Sequence, residues 1–152
     1  IKEPEPLRVV YTRTLDLPAQ AQLWDTRVSN TLVVYVSSSA NKKYLKRIPK
    51  NVLIEHVTSD NPRLLSKILA KKGLNKILWK CGPSLATSAV KSGCIQECIT
   101  FIAPKILGGN SSMSPFADLG FNSMKEILNL NLSEIKRYGG DIFLKNVLDK
   151  LD

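Results

Sequence analysis

A turn built around Gly82 and Pro83 has the residue types best suited to ligand binding in this sequence. The apolar residues 77–79 before it predict a buried strand, and a helix beginning at Pro83 would present free backbone N–H groups and a positive dipole. Gly82 would let a ligand approach the backbone closely, and Ser84 would add a hydroxyl donor. This combination predicts a phosphate cradle, although the local pattern alone favours an ordinary strand-to-helix turn, because it contains neither a glycine fingerprint nor a P-loop.

Arg13 follows the first predicted strand and offers a second group that could bind phosphate. A guanidinium group binds phosphate oxygens bidentately, which makes Arg13 a candidate partner for a phosphorylated ligand. A solvated arginine after a strand explains the same residue equally well. The single histidine, His56, alternates with Ile54 in an apolar run, so we interpret it as structural rather than catalytic.

The three cysteines, Cys81, Cys94 and Cys98, have neither the spacing of a disulfide framework nor enough partners for a zinc site. We therefore expect no bound metal and no cysteine nucleophile. An odd number of cysteines is typical of a reducing compartment, which predicts a cytoplasmic protein. Cys81 is small, and beside the Gly82 turn it would allow a ligand to come close.

The charge and hydropathy of the chain restrict the class of protein further. The 152 residues include 22 basic and 13 acidic side chains, giving a net charge of +9. This charge suits an anionic partner, although a basic solvated surface accounts for it as well. No apolar stretch approaches the length of a membrane span, and the charged, proline-rich start lacks the apolar segment of a signal peptide. Because the sequence lacks an initiator Met, we expect it to be a fragment of a longer chain.

Alternating strand and helix signals predict an α/β fold. Apolar or β-branched runs predict strands over residues 7–11, 31–36, 51–57, 76–79 and 97–102. One helix is expected to begin after the cap residue Asn61 and end at Gly73, and another to run from Pro83 to Gly93. This order is typical of parallel crossover units, and residues 31–36 are apolar enough for a strand buried on both faces.

The C-terminal part of the chain changes pattern. Residues 104–122 are rich in Gly, Ser, Pro and Asn and predict a long loop. Leucines alternate with asparagines over residues 128–132, and Gly139 and Gly140 separate this region from the apolar run at 142–144, which predicts an antiparallel hairpin. The expected architecture is an α/β fold with one mixed, mainly parallel sheet flanked by helices and a C-terminal antiparallel hairpin.

Several segments, in the same order along the chain, resemble the reductase domains of the bifunctional riboflavin-biosynthesis deaminase–reductases, which have a dihydrofolate-reductase-like fold. The most specific segment is residues 103–109, Ala-Pro-Lys-Ile-Leu-Gly-Gly. The others are residues 6–10, 15–18, 80–83, 93–97 and 140–144. The resemblance covers the whole chain, and it implies that residues 1–152 are a single, partial reductase domain whose first strand lies upstream.

The resemblance also implies an activity. Members of that family use NADPH to reduce a phosphorylated ribosylaminouracil, and the ring-opened ribose becomes a ribityl chain. The cofactor would carry the hydride chemistry, while the protein orients it. The implied cofactor-binding residues are Thr12, Arg13, Gly82, Pro83, Ser84, Leu85, Ala86, Thr87 and Ser88. Family members are dimers, so a homodimer is implied as well.

Lys80 departs from the family pattern, in which an acidic residue at this position contacts the substrate. A cation cannot accept hydrogen bonds from substrate hydroxyls, but it could hold the substrate phosphate. Lys80 is therefore a candidate substrate-binding residue. It also motivates an alternative hypothesis, in which the chain is a degenerate, non-catalytic reductase-like domain with a role in assembly.

A basic nucleic-acid-binding module is a third hypothesis, and it rests only on the net charge of +9. Aromatic residues make up only 7% of the chain, and no RNA-binding motif with interleaved aromatic residues is present. We therefore expect a small phosphorylated molecule as the partner, with no nucleic acid and no membrane.

Overall fold

A computed structural model of the chain describes residues 5–106, 108 and 114–149. The chain divides into two compact units, residues 1–73 and residues 74–152. Parts of three sequence predictions lie outside the described residues: the start of the chain at 1–4, positions 107 and 109 of the segment 103–109, and positions 107 and 109–113 of the predicted loop 104–122.

The first unit contains a parallel sheet of three strands in the order β1 (Arg8–Thr12), β2 (Thr31–Val36) and β3 (Leu53–Val57). Short 3₁₀ turns at Gln22–Trp24 and Lys42–Arg47 lie in the connections between these strands. All three strands were predicted, and the observed ends differ from the predicted ones by no more than two residues.

The central strand β2 holds the core of the first unit. Every residue of β2 is buried, which confirms the prediction of a strand covered on both faces. On one face, Val33 and Tyr35 form a buried cluster with Leu15 and Val52. Burying a side chain of this size is worth roughly 1.5–3 kcal/mol, so this cluster contributes substantially to the stability of the first unit.

Helix α1 (Pro62–Lys71) begins and ends where the sequence predicts. The Asn61 side chain caps it by accepting a hydrogen bond from the backbone N–H of Arg63 at 2.9 Å. Gly73, in the left-handed region at φ 81°, follows the helix and ends it. In addition, Lys72 Nζ lies 2.8 Å from Glu55 Oε1, an ion pair that links the end of the helix to β3.

The second unit consists of helix α2 (Pro83–Lys91) and an antiparallel sheet of β4 (Glu97–Ile102), β5 (Leu130–Tyr138) and β6 (Asp141–Leu148). Its strands lie in the order β4–β6–β5, with Phe101 of β4 opposite Phe143 of β6. Gly139 and Gly140 connect β5 to β6, and Tyr138 pairs with Asp141. The predicted C-terminal hairpin is thus confirmed, with strands longer than expected.

A β-bulge interrupts β5. Leu132 pairs with Asn146 and Glu134 pairs with Lys145, so Ser133 is an extra residue in the ladder. The Ser133 hydroxyl donates a hydrogen bond of 3.0 Å to the carbonyl of Lys145 and holds the bulge in place.

The strand predicted at residues 76–79 is wrong. These residues form no strand, and no described residue pairs with them in a β-ladder. Apolar composition alone cannot make a strand, because the backbone needs a neighbouring strand to bond with. The side chain of Leu78 is 81% exposed. The α/β class is confirmed, but the described strands form two three-stranded sheets in place of one mixed sheet.

In the part of the chain that the structure describes, no helix is long and apolar enough to cross a membrane.

Candidate functional site

The carboxyl ends of β1, β2 and β3 form one edge of the parallel sheet, and polar residues follow each strand there. These residues lie at 12–13 at the end of β1, at 37–39 after β2 and at 58–60 after β3. They supply hydroxyl groups, one guanidinium and one carboxylate. Open α/β sheets bind ligands at this edge, and the predicted site residues Thr12 and Arg13 lie there.

Thr12 stabilises the turn that leaves β1. Its Oγ1 accepts a hydrogen bond from the backbone N–H of Leu15 at 3.1 Å. Leu15 is buried and adopts a left-handed φ of 63°, which is uncommon for a residue other than glycine. Because a hydroxyl that accepts one hydrogen bond can still donate another, Thr12 retains a donor for a ligand.

Arg13 shares the carboxylate of Asp60 with Tyr11. Arg13 Nε lies 3.7 Å from Asp60 Oδ2, while the Tyr11 hydroxyl donates a hydrogen bond of 2.9 Å to Asp60 Oδ1. The side chain of Arg13 is 71% exposed and is therefore within reach of a ligand. Partial burial and then the hydrogen bond to Asp60 raise the pKa of the Tyr11 hydroxyl above its usual value, so the phenol stays protonated and remains a donor.

Two hydrogen bonds also fix the backbone at Arg13 and Thr14. The Ser39 hydroxyl donates a hydrogen bond of 2.9 Å to the carbonyl of Arg13. The Asn41 N–H donates one of 3.3 Å to the carbonyl of Thr14. The edge therefore combines a fixed backbone with an exposed cationic side chain, and this donor set suits a phosphate.

In the second unit, α2 begins at the predicted Gly82–Pro83 turn. Gly82 precedes the helix with no side-chain cap, and its carbonyl accepts the hydrogen bond of the Ala86 N–H at 3.1 Å. Helix geometry leaves the N–H groups of Ser84 and Leu85 outside this intrahelical pattern, as donors for a ligand. A Cβ built on Gly82 would meet no atom within 4 Å. The space beside the turn is therefore open, which suits a group lying against the backbone.

Thr87 differs from the other predicted cofactor residues because it is buried. Its Oγ1 accepts a hydrogen bond of 2.8 Å from the N–H of Ala117, and the Pro83 carbonyl is a second, longer acceptor for that N–H at 3.4 Å. This side chain therefore fastens the loop around residue 117 to α2. The remaining residues of the turn that were predicted to bind a cofactor are half-buried or exposed: Pro83, Ser84, Leu85, Ala86 and Ser88.

Lys80 and Cys81 lie just before the turn. Lys80, the predicted substrate-binding residue, is exposed. Cys81 is half-buried, and burial raises the pKa of its thiol, so the sulfur stays protonated near neutral pH. Within the described ranges, no group of three or more His, Cys, Asp or Glu residues could hold a metal ion.

An apolar cavity in the second unit was not predicted from the sequence. It has a volume of about 270 Å³, and the residues that line it are Val90, Ile95, Cys98, Phe116, Leu119, Phe121, Ile127, Leu128, Leu130 and Leu148. No lining residue is charged, so the cavity does not resemble a phosphate site. The roles of Tyr11 and Asp60 were also missed. Their only signal in the sequence was a polar residue close to the end of a predicted strand.

The fold is that of an α/β protein, and each of its two units has a polar site suited to an anion. Superposition on RibD of Acinetobacter baumannii gives a TM-score of 0.75 at 21% identity, over 93% of this chain and 37% of that chain. The family model named RibD C-terminal domain matches residues 2–144. The chain therefore belongs to the RibD C-terminal domain family.

Curated relatives support this assignment. The chain is 37% identical to the chloroplastic riboflavin biosynthesis protein PYRR of Arabidopsis thaliana, over 96% of this chain and 24% of that protein. It is 36% identical to RibD of Synechocystis, over 93% of this chain and 38% of that protein. A more distant relative, at 23% identity over 86% of this chain and 59% of its own length, is the 2,5-diamino-6-ribosylamino-4(3H)-pyrimidinone 5′-phosphate reductase of Aquifex aeolicus. The chain thus spans well under half of PYRR and RibD.

Proposed function

We propose that this chain is part of an NADPH-dependent reductase that converts a phosphorylated ribosylaminouracil into its ribityl product in riboflavin biosynthesis. The observation that carries the proposal is the match of residues 2–144 to the RibD C-terminal domain family. When bound, NADPH would supply the hydride that reduces the sugar carbon of the substrate. The residues of this chain bind and orient the two molecules.

The cofactor-binding residues in this proposal belong to two sets. Thr12 and Arg13 offer a hydroxyl and a guanidinium at the carboxyl edge of the parallel sheet, a donor set that fits a phosphate group. The other set is the start of α2, whose free N–H groups and dipole favour an anion. It comprises Gly82, Pro83, Ser84, Leu85, Ala86, Thr87 and Ser88. Thr87 would contribute by holding α2 and its loop together.

Lys80 binds the substrate in this proposal. Its exposed ammonium group is a point charge that can pair with the substrate phosphate. The same residue supports a second candidate function, a degenerate reductase-like domain that serves assembly. The cation stands where family members have an acidic substrate ligand, and it cannot accept the substrate's hydrogen bonds.

We further propose that the chain is part of one reductase domain and that the protein is a cytoplasmic homodimer. Three free cysteines support a reducing compartment. An aromatic cluster on the sheet of the second unit, formed by Phe101, Tyr138 and Phe143, supports self-association. Phe101 is 61% exposed and Tyr138 is 56% exposed, and exposed apolar clusters are typical of protein interfaces.

The proposed function can be tested by titrating the protein that contains this chain with NADPH and with NADH, while nicotinamide fluorescence is followed. We expect saturable binding that is tighter for NADPH. Single-turnover reduction of the phosphorylated ribosylaminouracil, read by mass as a gain of two hydrogens, would establish the reaction. Binding without reduction would favour the degenerate domain, and absence of both would refute the proposal.

A further inference from the structure

We propose that Asp60, held by Tyr11, is a positioning residue that orients Arg13 and thereby sets the preference of this site for a 2′-phosphorylated adenine nucleotide. The inference rests on the proposed function, because it presupposes that a nicotinamide dinucleotide binds at the edge of the parallel sheet. It assigns roles to two residues, Tyr11 and Asp60, that the sequence did not single out.

The geometry of three side chains carries the proposal. Tyr11 and Arg13 lie on either side of Thr12 at the end of β1, and Asp60 lies shortly after the end of β3. The Tyr11 hydroxyl bonds to one carboxylate oxygen of Asp60 at 2.9 Å, and Arg13 Nε faces the other oxygen at 3.7 Å. The Tyr11 hydroxyl therefore fixes one oxygen of the Asp60 carboxylate, and the other oxygen can orient the Arg13 guanidinium.

The side of the Arg13 guanidinium that faces Asp60 determines which of its N–H groups remain available to a phosphate. Asp60 lies on the Nε side, and the two Nη groups at the far end carry four of the five N–H donors of an arginine. Two N–H groups at that end can bind two oxygens of one phosphate group. An arginine held in this way keeps its phosphate-binding end directed away from Asp60.

Asp60 also has an unfavourable effect, because its negative charge repels a phosphate. The opposing gain is orientation. The Arg13 side chain is 71% exposed, and a free arginine side chain loses considerable rotamer freedom when it binds a ligand. Part of that freedom is already lost in the pair with Asp60. We expect the gain from orientation to outweigh the repulsion. Substitutions that disturb Asp60 should therefore lower the preference for the 2′-phosphorylated nucleotide.

The test compares binding of 2′,5′-ADP and 5′-AMP by calorimetry, since these nucleotides differ only in the 2′-phosphate. We expect the wild-type protein to prefer 2′,5′-ADP and Arg13→Gln to lose that preference. Tyr11→Phe keeps the ring and removes the hydroxyl that fixes Asp60. It should lower the preference by about three- to tenfold, the usual effect of one hydrogen bond. The control is Tyr44→Phe, because Tyr44 stacks on Arg47 in the same unit.

Asp60→Asn provides the second variant. An asparagine oxygen can still accept the Tyr11 hydrogen bond, but the amide carries no negative charge to attract Arg13, so the preference should fall as well. A rise in preference would overturn the proposal, because it would show that Asp60 acts only as a repelling charge. Equal weakening of both nucleotides in Tyr11→Phe would also overturn it, by indicating a purely structural role.

These outcomes distinguish failure of the positioning role of Asp60 from failure of the proposed function. If the wild-type protein binds NADPH and Arg13→Gln loses the preference while Tyr11→Phe keeps it, the positioning role is refuted and the proposed function stands. If the wild-type protein binds neither NADPH nor 2′,5′-ADP, both are refuted. Thermal unfolding of each variant shows whether the unit remains folded.

Discussion

The hydroxyl oxygen of Thr87 lies 2.8 Å from the backbone nitrogen of Ala117, 30 positions further along the chain, and accepts its hydrogen bond. A residue of the turn that we propose for the cofactor is thereby also the anchor of a loop. Ligand binding at the start of α2 and the stability of the second unit consequently depend on the same short helix.

Replacing Thr87 with valine should destabilise the protein. Valine has the same shape but cannot accept the Ala117 hydrogen bond, which leaves that N–H with only the long contact to Pro83. We expect a loss of about 1–2 kcal/mol and a fall in Tm of about 2–6 °C, measured by thermal unfolding. Thr87→Ser keeps the acceptor oxygen and should recover most of the loss. An unchanged Tm in Thr87→Val would show that the loop is not held by this bond.

Gly82→Val should weaken NADPH binding at least tenfold while changing stability by no more than about 1 kcal/mol. Gly82 has an ordinary φ of −73° and open space where a side chain would begin, so the fold tolerates valine there. A bound phosphate group would occupy that space. Fluorescence titration measures the affinity, and denaturant unfolding measures the stability.

Gly73→Ala is the matched control for Gly82→Val. Gly73 has a φ of 81°, a conformation that costs an L-residue about 1–2 kcal/mol, and a Cβ there meets no atom within 4 Å. This variant should lose stability and keep its affinity for NADPH. If Gly82→Val binds NADPH normally, the start of α2 is not the cofactor site.

The carboxyl group of Glu55 should titrate below its ordinary pKa. The ammonium group of Lys72 holds the pKa of Glu55 down, chiefly through their hydrogen bond and then through charge. Because the pKa of the folded state is the lower one, the pair stabilises the fold at pH values above the unfolded pKa. That contribution disappears as the pH falls through the folded pKa. Both side chains are partly exposed, so we expect less than about 1 kcal/mol.

An NMR titration of the side-chain carboxyl of Glu55 measures this pKa directly. In Lys72→Met the pKa should rise toward the ordinary glutamate value. No rise would mean that the ion pair is absent in solution.

Lys80→Glu should raise the KM for the phosphorylated substrate by about tenfold or more, since it replaces an attractive charge with a repulsive one. The Kd for NADPH should stay unchanged. Lys76→Glu makes the same change of charge on another exposed lysine and serves as the control. A large gain in turnover on Lys80→Glu would instead indicate that Lys80 is the lesion of a degenerate domain.

The fold was predictable where local sequence determines local structure. The strand at residues 31–36 was predictable because a nearly continuous apolar run is typical of a strand covered on both faces. Helix α1 was evident from its Asn61 cap and Gly73 exit, and the hairpin from its glycine pair. The apolar residues 77–79 were misleading, because whether a strand forms depends on a partner that hydropathy does not reveal.

The candidate site was predictable only in part, for the same reason. Thr12, Arg13 and the Gly82 turn are visible as local patterns at the ends of elements. The contact between Tyr11 and Asp60 joins positions 49 residues apart and exists only because β1, β2 and β3 pair in one register. Such a contact is a property of the sheet, and no short segment of sequence encodes it.

The bulge at Ser133 changes which positions of β5 face a given side of the sheet. On the face of the sheet that includes Leu148 and Leu144, the β5 residues are Leu130 and Leu132 before the bulge but Ile135 after it. Even positions face that side up to Ser133 and odd positions face it beyond. Deleting Ser133 alone would remove the extra residue and leave a regular ladder, in which Leu132, Glu134 and Ile135 keep their partners and their faces. The hairpin should therefore tolerate loss of Ser133 better than loss of a paired residue such as Lys136, which would turn over the residues between it and the glycine pair.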